Sequence, residues 1–230
     1  MNQQYVTTLY WASTWVVPLV VAITFHEAAH GFVARRLGDD TAAKLGRVTL
    51  NPLRHIDLFG TILVPAMLLL ARSPFVFGYA RPVPVTFAAL RHPRRDMALV
   101  AAAGPAMNLV LAVIAALAFH LTAYLPQGGA FWLAVNLANA LKVNVVLAVF
   151  NLLPLPPLDG GRIAVAVLPR FLASPLARLE PYGMLILIAL LLVLPLVGEG
   201  LGVDLNVLSR TMSVATAPVI ETILRITGNS

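Results

Sequence analysis

Long apolar runs separated by short basic loops dominate the chain. Leu9 to Leu37 is nearly continuous in apolar residues. As a helix it is long enough to cross a hydrocarbon core of about 30 Å. Asp96 to Leu125 and Phe131 to Leu153 are two more such runs, joined by Pro126-Gln127-Gly128-Gly129, whose residue types predict a turn. Pro181 to Val197 is a further span. Residues 203–225 carry a weaker amphipathic pattern, which predicts a helix that spans or lies in the interface. Leu58 to Ala71 is apolar but only 14 residues long, short for a crossing. Between Phe75 and Val85, large and small residues alternate and β-branched and aromatic types are common, which predicts an extended strand or hairpin. Pro82 and Pro84 restrict that piece to edge pairing. No internal repeat or low-complexity segment interrupts the pattern.

Basic residues orient these runs. The first run is preceded by the uncharged residues 1–8 and followed by Arg35, Arg36, Lys44, Arg47 and Arg54. An excess of cations marks the cytoplasmic flank, so the N-terminus is expected outside and residues 35–57 in the cytoplasm. Arg91, Arg94 and Arg95 mark the same side again. Both ends of 58–95 therefore fall on one side, and the extended piece at 75–85 is expected to bring the chain back as a re-entrant element. Non-helical backbone is tolerated at membrane depth only where protein or a water-filled cavity covers it. That expectation makes 75–85 a candidate rim of a site. The fold class predicted is an all-α polytopic membrane protein of about five or six transmembrane segments with a small re-entrant β element. One domain is expected over 1–230, with a core from about 9 to 180 and C-terminal helices over 181–227.

Composition agrees with this class. The chain is 59% hydrophobic and 11% charged, with a mean hydropathy of +0.85, where a soluble domain carries about 25% charged residues. It has no cysteine, so disulfides, thiolate metal sites and cysteine nucleophiles are excluded and any metal falls to His and carboxylates. The net charge of +6 is accounted for by the loops beside apolar runs, so a nucleic-acid partner is not expected. The first nine residues carry no Lys or Arg and no clear cleavage site precedes His26, so no signal peptide is read.

Within the first run stands His26-Glu27-Ala28-Ala29-His30. Ionisable side chains at that depth are costly and usually functional. The chain has only four glutamates and five histidines, and three of those nine fall in this one block. Residues four apart share a helix face, so His26 and His30 can point at one ion, and two imidazoles suit Zn²⁺. Glu27 lies about 100° round the helix. It can reach a zinc-held water, whose pKa the metal lowers to about 7, and take its proton.

A catalytic zinc takes three protein ligands. Glu180, Glu199 and Glu221 flank or follow the last clear span. His55 and His92 lie in basic loops, and His120 is near the outer end of its helix. Asp39, Asp40, Asp57, Asp96 and Asp204 lie in loops or near segment ends. Asp159 follows an inward-running helix and so lies towards the cytoplasmic side, as His26 and His30 do. The prolines at 154, 156 and 157 end that helix just before it. Depth and local geometry select Asp159 as the third ligand. Asn151 is a candidate hydrogen-bond donor to the oxyanion formed when water attacks a peptide carbonyl, or makes an ordinary interhelical bond. Asn108 carries the same ambiguity, with the structural reading favoured.

The pattern resembles the site-2 protease family of intramembrane zinc metalloproteases. His26-Glu27-Ala28-Ala29-His30 matches the family's first motif, and Asn151-Leu152-Leu153-Pro154 through Leu158-Asp159-Gly160 the second, which there supplies the third zinc ligand. Gly46-Arg47-Val48-Thr49-Leu50-Asn51-Pro52, Gly78 to Val85 and Ala103 to Asn108 look like the small bacterial branch. The resemblance runs from about residue 20 to 180. It implies a bacterial-type plasma membrane, and it implies that 75–85 is the family's re-entrant β element beside the substrate path. The chain departs from larger members in lacking room for a PDZ or CBS domain and in having its first motif in its first span. The function expected is hydrolysis of a peptide bond in or near a transmembrane segment of a membrane-protein substrate, by a Glu27-activated water on zinc held by His26, His30 and Asp159. Two other functions compete: a membrane protease using a later glutamate as ligand, and an ion transporter or metal sensor. The paired halves common in transporters are not seen. The lipid bilayer is an expected partner, and oligomeric state is not legible.

Overall fold

The computed structural model describes residues 3–63 and 81–229. Helix α1, Gln3–Arg36, carries the first apolar run. It stops where Gly38 takes φ 112°, a conformation a side chain would resist. There the Gly38 N–H donates to the Arg35 carbonyl at 3.2 Å and the Asp39 N–H to the Ala34 carbonyl at 3.0 Å. These two bonds satisfy carbonyls that the helix end leaves free. After a short helix α2, Thr41–Lys44, the chain runs through 3₁₀ turn Pro52–Arg54 and a π-helical turn Leu58–Leu63.

Helix α3, Pro93–Ala118, begins with a proline at its first turn, where a missing N–H costs nothing. It continues as 3₁₀ helix to Tyr124. Helix α4, Gln127–Asn151, runs back. A turn at 152–158 leads into α5, Asp159–Val167, and α6, Arg170–Arg178. Helices α7, Gly183–Ile188, and α8, Leu194–Leu201, are joined by a π turn, Ala189–Val193. Helix α9, Val207–Ile226, ends the fold.

Helices α1, α3 and α4 pack against one another, and α5 packs on α3. Small residues line the contacts. Ala112, Ala115 and Ala116 of α3 meet Leu141 and Val145 of α4 and Ile223 of α9, while Ala34 of α1 meets Val100 of α3 and Leu90. Alanine at these positions lets backbones approach closely, which dispersion between helices in lipid requires. Large apolar side chains such as Val16, Leu19, Ile114 and Phe131 face outward, as a lipid-facing surface demands.

Four helical stretches are long and apolar enough to cross a membrane: Tyr10–Arg36, Pro93–Tyr124, Gln127–Asn151 and Arg170–Leu201. The five or six spans expected from the sequence are thus four among the described residues. Helix α9 forms from the amphipathic run as expected but is not apolar enough to join them. The expected re-entrant β element is not supported. Residues 75–80, and residues 64–71 of the short apolar run, lie outside the described residues. No strand occurs among those described. Pro82 and Pro84 carry no ladder donor, and the donors that precede each of them are taken elsewhere. The Arg81 N–H donates to the His55 carbonyl at 2.9 Å, and the Val83 N–H to Glu27 at 2.8 Å.

Three ties hold this proline-stiffened segment over the end of α1. Besides Glu27, the buried carboxylate of Asp39 accepts the Thr86 N–H at 2.6 Å and the Thr41 N–H at 2.9 Å. The Arg47 guanidinium donates to the carbonyls of Arg54 and Arg81.

Candidate metal centre

His26 and His30 lie one turn apart on α1 and are both buried. Their Nε2 atoms approach to 3.0 Å. Asp159, the first residue of α5, brings its Oδ2 to 3.2 Å from His26 Nε2 and 3.3 Å from His30 Nε2. Among the described residues this is the group of three or more potential ligands whose atoms all fall within 4.8 Å of one another.

The turn after α4 sets where Asp159 stands. A Cβ at Gly160 would lie 2.2 Å from the Leu152 carbonyl oxygen, and one at Gly161 would lie 2.7 Å from Pro156 N. Two glycines therefore let α5 start directly against the turn, which aims the carboxylate at α1.

Hydrogen bonds on the far side of each ring decide what the Nε2 atoms present. His30 Nδ1 is 2.7 Å from the Val100 carbonyl oxygen. A carbonyl only accepts, so Nδ1 carries the hydrogen and the neutral ring keeps a lone pair on Nε2. For His26 the partner is Asn108 Oδ1, at 2.6 Å. That amide is oriented in turn. Asn108 Nδ2 donates to the Ala22 carbonyl at 3.2 Å and to Asn144 Oδ1 at 2.9 Å, while Asn144 Nδ2 donates to the Ala140 carbonyl at 2.9 Å. The chain of bonds from α4 through α3 leaves His26 Nδ1 as donor and its Nε2 as a lone pair.

Three lone-pair atoms thus converge in a buried space. Asp159 Oδ2 has no hydrogen-bond donor despite its two close nitrogens. Acceptors do not gather like this without a cation between them. Two imidazoles and a carboxylate are a donor set that suits Zn²⁺, and the outer bonds to Asn108 and Val100 are of the kind that fix zinc-bound imidazoles.

Glu27 follows His26 and is only partly buried. Its Oε2 accepts the Val83 N–H. Asn151, at the end of α4, donates from Nδ2 to the Leu147 carbonyl of its own helix at 3.0 Å, and no hydrogen bond joins it to the cluster. Five of the rival ligands are engaged elsewhere. His55 faces the Thr49 carbonyl, His120 the Thr227 carbonyl and His92 Asp96. Glu180 pairs with Arg162 at 3.4 Å and Glu221 with Arg225 at 3.0 Å. Sequence reasoning did not find Asn144 or the Val100 carbonyl. It favoured a structural role for Asn108, which joins helices as expected and orients His26 as well. The available signal was an asparagine inside an otherwise apolar helix.

Membrane-length apolar helices around a buried His–His–Asp group that could hold a metal ion are the features of an integral membrane protein with a candidate metal centre. Residues 14–141 and 130–194 match peptidase family M50, and the chain belongs to that family. Similar proteins carry the name "Putative zinc metalloprotease". One is YwhC of Bacillus subtilis (strain 168), 42% identical over 76% of this chain and 78% of that protein. Another is Rip2 of Mycolicibacterium smegmatis (strain ATCC 700084 / mc(2)155), 30% identical over 75% of this chain and 64% of its own length. A third is Rip2 of Mycobacterium tuberculosis (strain ATCC 25618 / H37Rv), 30% identical over 85% and 75%. No solved structure matches the chain. The protein is a metalloendopeptidase of that family, and its His–His–Asp group could hold the metal ion.

Proposed function

We propose that this protein is an intramembrane endopeptidase whose zinc is held by His26, His30 and Asp159. The observation that carries the reading is the convergence of two Nε2 lone pairs from a membrane-length helix and one carboxylate oxygen from α5, with Glu27 beside the histidines in sequence. Zinc in such a site supplies a Lewis acid that polarises a carbonyl and lowers the pKa of a water to about 7. The chain's own residues do the remainder. Glu27 accepts a proton from the attacking water and returns it to the leaving amine, as a carboxylate within reach of both can. Asn151 keeps a second Nδ2 hydrogen for the oxyanion. Asn108 and Val100 hold the imidazoles through their Nδ1 atoms.

Burial of the cluster against the apolar α1 favours a transmembrane segment as substrate, locally unwound to expose its peptide bond. The cations that follow α1 favour an orientation with the N-terminus outside and the cluster towards the cytoplasmic side. One catalytic domain accommodates all the roles.

Glu27→Gln provides the test. Cleavage of a fluorescent transmembrane-segment reporter in proteoliposomes is expected to cease while zinc content stays at the wild-type level. Full cleavage by that variant would overturn the assignment of Glu27 and of the mechanism.

A further inference from the structure

Helix α3 touches the metal centre at three positions four residues apart. Val100 and Asn108 take the Nδ1 hydrogens of His30 and His26, and Gly104 lies between them on the same face. A Cβ built at Gly104 would stand 2.5 Å from His26 Nε2, 2.5 Å from His26 Cε1 and 2.5 Å from His30 Nε2. Non-bonded heavy atoms reach their best separation near 3.5–4.0 Å, so a methyl group there would overlap both rings. A point that close to both nitrogens is also within about half an ångström of the roughly 2.0–2.1 Å at which zinc sits from imidazole nitrogen.

The Pro105 ring crowds the Cβ of a preceding helical residue, yet Ala217 stands before Pro218 inside α9, so the proline alone does not require glycine at this position. The surrounding run is Ala101-Ala102-Ala103-Gly104-Pro105-Ala106, and alanine is the better helix former. The backbone at Gly104 is not in the left-handed region that favours glycine. Nor can the imidazoles swing aside. Both are buried and are pinned through Nδ1 at 2.6 and 2.7 Å. Gly31 of α1 makes the contrast: a Cβ there would crowd the methyl groups of Val48 and Val83, at 3.0 and 3.1 Å, which can give way, and would meet Ala42 Cβ at an ordinary 3.8 Å.

We propose that Gly104 is a positioning residue of the zinc centre, whose missing side chain keeps open the space in which the two Nε2 atoms share their ion. The proposal rests on the reading of His26, His30 and Asp159 as the ligands. It adds a residue from α3 that donates no atom to the metal yet decides whether the metal fits.

The full-length protein and its Gly104→Ala variant, purified in detergent and dialysed against a competing chelator, provide the test. Zinc per chain is expected near one for the unmodified protein and below a tenth of that for Gly104→Ala. Thermal unfolding of the zinc-free proteins separates a local clash from a general folding defect. Gly104→Ala is expected to lower Tm in the unmodified background. In a His26→Ala/His30→Ala background, where the rings are gone, it is expected to leave Tm unchanged or raise it. Zinc near one per chain in Gly104→Ala would overturn the proposal, as would an equal loss of Tm in both backgrounds. Absence of zinc from the unmodified chain would instead overturn the ligand assignment beneath it.

Discussion

Asn108 Oδ1 lies 2.6 Å from His26 Nδ1, across the packed faces of α3 and α1. This bond fixes the ring's tautomer and so directs its lone pair at Asp159 and His30. Outer partners of zinc-bound imidazoles are typically worth 10–100-fold in metal affinity. Asn108→Leu is therefore expected to weaken zinc binding by about that factor, measured by competition with a chromogenic chelator. Asn144→Leu, which frees the Asn108 amide to rotate, is expected to shift affinity in the same direction by less. Wild-type affinity in Asn108→Leu would show that the ring is oriented by other means.

Asp159 and Glu180 give opposite expectations. Asp159→Ala removes the carboxylate that faces both imidazoles and is expected to abolish stoichiometric zinc. Glu180 forms an exposed pair with Arg162, so Glu180→Ala is expected to keep full zinc and change stability by under about 1 kcal/mol. Elemental analysis of the two purified variants checks both. Zinc lost from Glu180→Ala and kept by Asp159→Ala would reverse the ligand assignment.

Val83 holds Glu27 through its N–H at 2.8 Å. Pro82 and Pro84 fix their own φ and bias Arg81 and Val83 towards extended backbone, so Val83→Pro can keep the path of the segment while deleting this one donor. Zinc content is expected to be unchanged. Cleavage of the reporter is expected to fall about tenfold, the equivalent of about 1.4 kcal/mol in positioning the carboxylate. Equal turnover would mean that the bond to Val83 does not position Glu27 for catalysis.

Asp39 makes stability depend on acid. Burial pushes its pKa up, but the hydrogen bonds from the Thr41 side chain, the Thr41 and Thr86 N–H groups and the charge of Lys44 outweigh this and hold it below the ordinary carboxylate value. A depressed folded-state pKa stabilises the fold above the unfolded value, near pH 4, and that stabilisation is lost as pH falls through the folded value. Asp39→Ala is expected to cost about 3 kcal/mol at neutral pH, on the scale of hydrogen bonds to a charged group. The gap from wild type should narrow below about pH 4, followed by unfolding in denaturant at several pH values. A gap that stays constant into acid would exclude the carboxylate as its source.

Much of the centre is legible in the amino-acid order because it is set by short-range geometry. His26 and His30 share a face through the pitch of one helix, and Glu27 is displaced from it by a single residue. The prolines before Asp159 interrupt α4 wherever the bundle places it, so an aspartate at that break was readable from charge asymmetry and segment direction. The apolar runs at 9–37, 96–125 and 131–153 became α1, α3 and α4 because a backbone without water must bond to itself. The pattern around Val83 misled for a physical reason. Alternating side chains predict a strand, but a strand needs ladder partners, and the N–H groups of Arg81 and Val83 go instead to the His55 carbonyl and Glu27.

The sequence by itself determined the helices, the spacing of the two histidines and the choice of metal chemistry, since each follows from local periodicity and residue type. Which faces of α1, α3 and α4 meet is a matter of packing. Only that packing put Val100, Gly104 and Asn108 against the imidazoles and Asn144 behind them. Their parts in the centre depend on atoms of residues 70 and more positions away in the chain, and no local pattern encodes such a contact.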